Sequence, residues 1–264
     1  MKFKLPQIYF SKIMRAIVEF DLIDDGDKIL IGLSGGKDSI LLTYALSMMR
    51  ERLDKDFSLM AFTINPMFND SFDTGVLKDF CNSLDMPYES RDINIAKTIA
   101  DCEDKNPCYT CAFFRRGAIN RYALEHGCNK IAYAHHNDDA VETLLMSILY
   151  SGQIKTFTPK TYLDRTGLTV IRPLVYLRES ESIDAIKYHG MKPLASSCPL
   201  DGKTTRQEIK NLIKKLTNEN ELIYAHLAAA MRKNNIGEMW PAAKTRNEMR
   251  DTYFSFFNKE NKKR

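Results

Sequence analysis

Lys28-Ile29-Leu30-Ile31-Gly32-Leu33-Ser34-Gly35-Gly36-Lys37-Asp38-Ser39 joins an apolar run rich in β-formers to a glycine turn and the start of a helical pattern that continues to Arg50. Glycines between a strand and a helix N-terminus let backbone amides converge on an anion. Two familiar phosphate loops do not fit. A Walker loop needs glycine five positions before Gly36, where Ile31 stands, and a hydroxyl after Lys37, where Asp38 stands. Gly32, Gly35 and Gly36 also lack the dinucleotide-binding spacing. The remaining pattern is Ser-Gly-Gly-x-Asp-Ser. Read without it, the same residues are a glycine turn capped by Asp38.

Outward from this loop, strand and helix patterns alternate. Gln7 to Phe20 is amphipathic at helical spacing, and Asp24-Asp25-Gly26-Asp27 ends it. Phe57–Ile64 and Tyr88–Ile93 read as strands, Lys130–Ala134 as a buried strand, and 167–173 as a further strand. Helical patterns cover 75–84, 109–126, 138–150, 179–188, 204–216 and 219–232. The alternation predicts an α/β fold with a parallel sheet and helices on both faces. The expected division is an N-terminal helix (1–22), a nucleotide-binding domain (23–216) and a helical, basic C-terminal extension (217–264).

With 264 residues and 44% hydrophobic content, the chain can bury a core of one domain's size. No run approaches the ~20 apolar residues of a membrane span, so no membrane association is expected, and a cytoplasmic location is. The net charge is +4, but residues 201–264 hold 14 Lys/Arg against 8 Asp/Glu, so the basic bias is C-terminal. That bias suits a phosphate-bearing partner or a solvated tail alike. Trp240-Pro241 and Phe254, Phe256 and Phe257 lie there among charges, and the sequence leaves core packing, partner contact and fraying all open.

Six cysteines are too few and too unevenly spaced for a disulfide scaffold in this chain. Pro107-Cys108-Tyr109-Thr110-Cys111 opens a helical pattern, which places both thiols near a helix N-terminus that favours thiolate, the metal-binding form. Arg115 falls on the same helical face as Cys111, and Arg116 adds a second cation. Cys198, in Ser196-Ser197-Cys198-Pro199-Leu200, is the candidate third ligand. Three thiolates are one short of a closed zinc site but suit an iron–sulfur cluster with one open iron. Cys81, Cys102 and Cys128 read as ordinary thiols. At the end of the 130–134 strand, His135-His136-Asn137-Asp138-Asp139-Ala140-Val141-Glu142-Thr143 gathers polar groups where α/β sheets bind ligands; Asp138 and Asp139 also suit helix capping.

The order of Ser34–Ser39, the Cys108/Cys111 pair with Arg115 and Arg116, the His135–Thr143 run, Ile171-Arg172-Pro173-Leu174 and a lone Cys198 resembles the tRNA 2-thiocytidine synthetase family of PP-loop ATP-pyrophosphatases over residues 8–215. The resemblance implies a five-stranded parallel HUP-type sheet. It also implies an enzyme that uses ATP and Mg²⁺ to adenylate a pyrimidine of tRNA, most simply cytidine 32, and replaces the activated oxygen with sulfur. By resemblance, Ser34, Gly35, Gly36 and Ser39 hold pyrophosphate, Lys37 takes the variable position, and Asp38 acts through Mg²⁺ or by ordering the loop. Cys108, Cys111 and Cys198 would hold a [4Fe–4S] cluster. His135 and Asp138 would lie near the adenylated base, and Arg115 would stabilise charge developing there. The implied partners are tRNA and a sulfur donor, either a cysteine desulfurase or free sulfide, and a homodimer is a candidate assembly.

The chain is shorter than better-known members and lacks a second cysteine beside Cys198 and the terminal zinc-ribbon cysteines of related 2-thiouridine enzymes. Three alternatives stay open: thiolation of another nucleoside such as uridine, a cluster-free nitrogen ligase of the lysidine-forming type, and a non-catalytic zinc- or RNA-binding protein. The three cysteines count against the second, and intact Ser34–Ser39 against the third.

Overall fold

The computed structural model describes residues 5–69, 72–101, 107–189, 191–195, 198–232 and 245–257. Cys102, Ser196, Ser197, Trp240 and Pro241 lie outside the described residues. The leading amphipathic stretch forms α1 (Gln7–Glu19), which buries Ile13, Ala16 and Ile17. The deciding stretch forms β1 (Asp27–Gly32) and α2 (Lys37–Arg50). Every residue of α2 from Ser39 to Met49 is buried, so this helix is central and its sequence shows only a weak amphipathic pattern.

There follow β2 (Phe57–Asn65), α3 (Thr74–Ser83), β3 (Tyr88–Asp92), α4 (Ile95–Asp101), α5 (Pro107–Glu125), β4 (Lys130–Ala132) and α6 (Asn137–Ser151). After these come β5 (Lys160–Leu163), β6 (Leu168–Ile171), α7 (Glu179–Tyr188), α8 (Thr205–Glu219) and α9 (Leu222–Ala230).

The sheet order is β3-β2-β1-β4-β6-β5. The four pairings from β3 to β6 are parallel, with Ile31 beside Ala61 on one side and Ala132 on the other. The expected five-stranded parallel sheet is therefore corrected to six strands among the described residues, because Lys160–Leu163 pairs antiparallel with Leu168–Ile171. This four-residue edge strand alternates only between exposed and half-buried positions, and so carries only a weak signal in the sequence.

One apolar cluster gathers α1, α2, α3 and α7 around residues such as Leu41, Leu46 and Leu174. A second joins Phe62, Ile95, Ile119, Tyr122 and Ile131. A third, of Val141, Ile209, Ile213 and Tyr224, fastens α8 and α9 to α6. Asn220 ends α8 in extended conformation, so the helical pattern expected over 219–232 begins after a break. The compact unit extends to Met231, past the division expected at 216/217. Residues 232–264 form a second unit, in which α10 (Arg246–Phe257) follows Thr245, whose hydroxyl accepts from the Glu248 N–H while Glu248 Oε2 accepts from the Thr245 N–H. Among the described residues, no helix is long and apolar enough to cross a membrane.

Candidate active site

The chain winds one way from β1 through β2 to β3 and the other way through β4 to β6, so the sheet reverses between β1 and β4. Open α/β sheets leave a crevice at the carboxyl ends of strands at such a point. The Ser34–Ser39 loop leaves β1 there, and the His135–Asp139 run leaves β4 beside it.

Within the loop, Ser34 Oγ donates to Ser39 Oγ at 3.1 Å, Ser39 Oγ is 2.9 Å from the Gly36 carbonyl, and the Gly36 N–H reaches Ser34 Oγ at 3.4 Å. These bonds curl the backbone about the α2 N-terminus, where the helix dipole favours an anion. Gly35 takes φ +81°, which favours glycine, and a Cβ there would stand 3.0 Å from Leu194 Cδ1 and press that side chain aside. Leu194 also donates its backbone N–H to the Gly35 carbonyl at 2.9 Å. The segment leading to Cys198 is thereby tied to the phosphate loop.

Lys37 Nζ lies 3.0 Å from both Asp38 Oδ2 and Glu179 Oε1, and Lys210 Nζ lies 2.5 Å from Glu179 Oε2. Burial alone would raise the Glu179 carboxyl, but hydrogen bonds from Lys210 and Lys37 hold it down at about 2. Burial likewise opposes the charge on Lys37, and Asp38 and Glu179 outweigh it, so the ammonium is held above its ordinary range. Asp38 Oδ1 is buried with no hydrogen-bond partner. An unsatisfied carboxylate oxygen beside a phosphate loop suits Mg²⁺, a hard cation with oxygen ligands.

The His135–Asp139 run divides its labour. His136 caps α6: its Nδ1 accepts from the Asp139 N–H at 3.3 Å, and Asp139 Oδ2 accepts from the His136 N–H at 2.9 Å. With Nδ1 accepting, Nε2 is the nitrogen left to donate, and it faces Asp38 Oδ2 at 3.9 Å. Asp138 takes Arg178 in a fork, at 3.1 Å from Nε and 3.0 Å from Nη2, and accepts the Glu179 N–H at 2.7 Å, so it fastens the α7 N-terminus. Arg178 lies over the Tyr224 ring at 3.2 Å, which extends the brace to α9. Arg206 of α8 pairs with Glu142 at 3.2 Å and approaches Asp139 at 3.5 Å. His135 turns the other way, with its centroid 5.1 Å from Phe157 and 5.9 Å from Tyr133; burial lowers its pKa to about 4 and keeps it neutral.

Cys108 and Cys111 lie on the first turns of α5, Cys108 exposed and Cys111 half-buried. Burial raises the Cys111 thiol; Arg115 opposes this by charge and hydrogen bond, while Cys198 and Cys108 both add to it. The thiol is thus harder to ionise than the helix position alone implies, and both its neighbour Cys108 and the sequence-distant Cys198 are within electrostatic range of it. Among the described residues, no three His, Cys, Asp or Glu side chains are close enough to hold a metal ion. The donor chemistry of three thiols with one arginine nonetheless fits a cluster, whose negative charge Arg115 would offset. Cys81 and Cys128 are buried; burial raises the former to about 12, and the latter donates to Met60 Sδ at 3.4 Å.

The PP-loop domain family matches residues 7–217. The tRNA-cytidine(32) 2-sulfurtransferase of Geobacter metallireducens is 36% identical over 226 residues, covering 82% of this chain and 86% of that protein. The enzyme of the same name from Anaeromyxobacter dehalogenans is 38% identical over 221 residues, covering 82% and 75%.

The chain belongs to the PP-loop family, among the tRNA 2-thiocytidine synthetases. The fold agrees: the U34-tRNA thiolase NcsA from Methanococcus maripaludis with its [4Fe-4S] cluster superposes with a TM-score of 0.72 at 20% identity, covering 89% of this chain and 80% of that one.

In this PP-loop protein the structure gathers Ser34–Ser39, His136 and Glu179 around one crevice and ties Leu194 to the loop at Gly35. It gives Asp138 to Arg178 and the α7 N-terminus, a placement that suits positioning better than contact with a base. Sequence reading missed His136, Arg178, Glu179, Arg206 and Lys210. His136 stood in the quoted run, and its spacing before Asp139 is that of a helix cap. The other four carry no motif, because only the packing of α7 on α2 and of α8 on α6 makes them neighbours of the loop.

Proposed function

We propose that this protein is an ATP-dependent tRNA sulfurtransferase that adenylates the O2 of cytidine 32 and replaces it with sulfur. The observation that carries the proposal is the tie between Leu194 and Gly35, which joins the phosphate loop to the segment bearing Cys198, itself within range of Cys111. The names of the curated relatives support the substrate and the reaction class.

In the proposed reaction the Ser34–Ser39 amides and hydroxyls hold the β- and γ-phosphates, and Asp38 Oδ1 would be the oxygen that holds Mg²⁺, which would offset phosphate charge. Lys37 exchanges Asp38 for phosphate oxygen while Glu179 keeps it in reach. Cytosine O2 attacks the α-phosphorus and pyrophosphate leaves. Sulfide then adds at C2, and the C2–O2 bond breaks with release of AMP, a far better leaving group than the unactivated exocyclic oxygen. Cys108, Cys111 and Cys198 would hold a [4Fe–4S] cluster, which supplies a site for the incoming sulfide. Arg115, whose charge acts on Cys111, offsets negative charge as it collects there.

Iron analysis and visible absorption of protein purified without oxygen test the cluster, and Cys198→Ala tests its ligation. The variant should lose iron and tRNA thiolation but still bind ATP. Wild-type protein without iron after anaerobic reconstitution would overturn the cluster, and undiminished thiolation by the variant would remove Cys198 from the ligand set.

A further inference from the structure

At the carboxyl ends of β4 and β6, three buried polar atoms have no hydrogen-bond partner among the described residues: Tyr133 Oη, His135 Nδ1 and Arg172 Nε. They form one neighbourhood. The Tyr133 and His135 rings meet edge-on at 5.9 Å, His135 meets Phe157 at 5.1 Å, and the Arg172 guanidinium lies over Phe157 at 5.0 Å. Arg172 Nη1 is already committed to the Thr158 carbonyl at 2.6 Å and Thr161 Oγ1 at 3.0 Å, which fixes the plane of the fork and leaves Nε pointing elsewhere. Tyr133 is set by its ring's contact with Gly32, where a Cβ would stand 3.0 Å from Cε1. Buried polar groups are normally paired, so three held rigidly without partners call for one.

The ligand chemistry follows from the set: an aromatic wall, one obligate donor and two groups able to donate or accept. That is the equipment with which proteins take up an unstacked base. Arginine Nε can only donate. Cytosine N3 accepts, whereas uracil N3 carries a hydrogen, so a donor aimed there favours cytosine. The neighbourhood also adjoins the cysteine site, since Arg115 acts on both Cys111 and Tyr133.

We propose that Tyr133, His135 and Arg172 receive the Watson–Crick edge of an extruded cytosine, with Arg172 Nε donating to N3 and Phe157 flanking the site. The assignment rests on the tRNA reading above and adds the residues that choose the base. Arg172 is thus a specificity-determining residue, and Tyr133 Oη and His135 Nδ1 complete the hydrogen-bonding edge.

The test uses full-length protein and anticodon stem–loops with cytidine or uridine at the target position and 2-aminopurine beside it to report unstacking. Arg172→Lys keeps the charge and loses the fixed Nε. Tyr133→Phe loses only a hydroxyl and preserves packing. Arg172→Lys should weaken binding of the cytidine stem–loop by about tenfold and narrow its preference over uridine. Tyr133→Phe should weaken it by a smaller factor, with the unstacking signal reduced in both and ATP affinity unchanged. Unchanged affinity, preference and fluorescence in both variants, alongside wild-type thiolation of the stem–loop, would overturn the base site. Cytidine-selective unstacking that depends on these residues, in a wild-type protein that thiolates neither stem–loop, supports the base site and overturns the sulfurtransferase reading instead.

Discussion

Asp38 is the residue on which the phosphate chemistry converges, with one carboxylate oxygen shared with Lys37 and the other buried and free. Asp38→Asn keeps the shape and removes the charge, and pyrophosphate release should fall roughly 10²-fold, as for loss of one preorganised electrostatic group. A pyrophosphate-release assay checks this, and unchanged turnover would refute the role of Asp38. Glu179 gives a prediction in pH. Its carboxyl ionises at about 2 in the fold, against roughly 4.3 for a free glutamate, so the unfolded chain takes up the proton first as pH falls. Its stabilisation is full above about pH 4.5 and is lost towards pH 2. Urea unfolding should therefore find wild-type more stable than Glu179→Gln at pH 7, with the gap closing between about pH 4.5 and 2. A gap independent of pH would show that the Lys37–Glu179–Lys210 chain contributes nothing as charge.

Among the elements, β1 and β4 form the floor of the site, and their far ends are locked by a buried ion pair. Lys130 Nζ lies 2.6 Å from Asp27 Oδ2, with side chains only 6% and 3% exposed. Asp27→Ala leaves that ammonium with the largely exposed Asp24 at 2.8 Å, and should cost about 3–5 kcal/mol in chemical denaturation. A loss below about 1 kcal/mol would show that Asp24 and the Leu22 carbonyl suffice. The α7 N-terminus depends on Asp138, which accepts both the Glu179 amide and the Arg178 fork. Asp138→Ala should lower stability by about 1–3 kcal/mol and raise the KM for ATP, because α7 carries Glu179 to Lys37. Unaltered ATP kinetics in a destabilised protein would restrict Asp138 to capping.

Across the whole molecule, charge is unevenly spread: residues 232–264 hold nine Lys/Arg and four Asp/Glu. If this second unit binds tRNA backbone, removing it should leave ATP binding intact and flatten the dependence of tRNA affinity on salt. The log–log slope should fall by up to about 0.7 for each phosphate that the second unit neutralises. Binding isotherms between low and moderate salt measure that slope. An unchanged slope would assign RNA binding to the first unit.

Local sequence determined much of this protein. The run from Lys28 to Ser39 specified strand, phosphate turn and helix start, because backbone amides, glycine freedom and apolar periodicity act over a few residues. Cys108, Cys111 and Arg115 were legible for the same reason, as neighbours on one helical face. What tertiary structure alone decided are the long-range pairings. Lys160–Leu163 became a strand only by joining β6, because four residues with none buried make too short and weak a pattern to read alone. Glu179 met Lys37, Leu194 met Gly35, and Arg172 joined His135 across Phe157 only once helices and strands had packed. Such meetings follow from burial of apolar faces elsewhere in the chain, and no local signal records which polar groups that burial brings together.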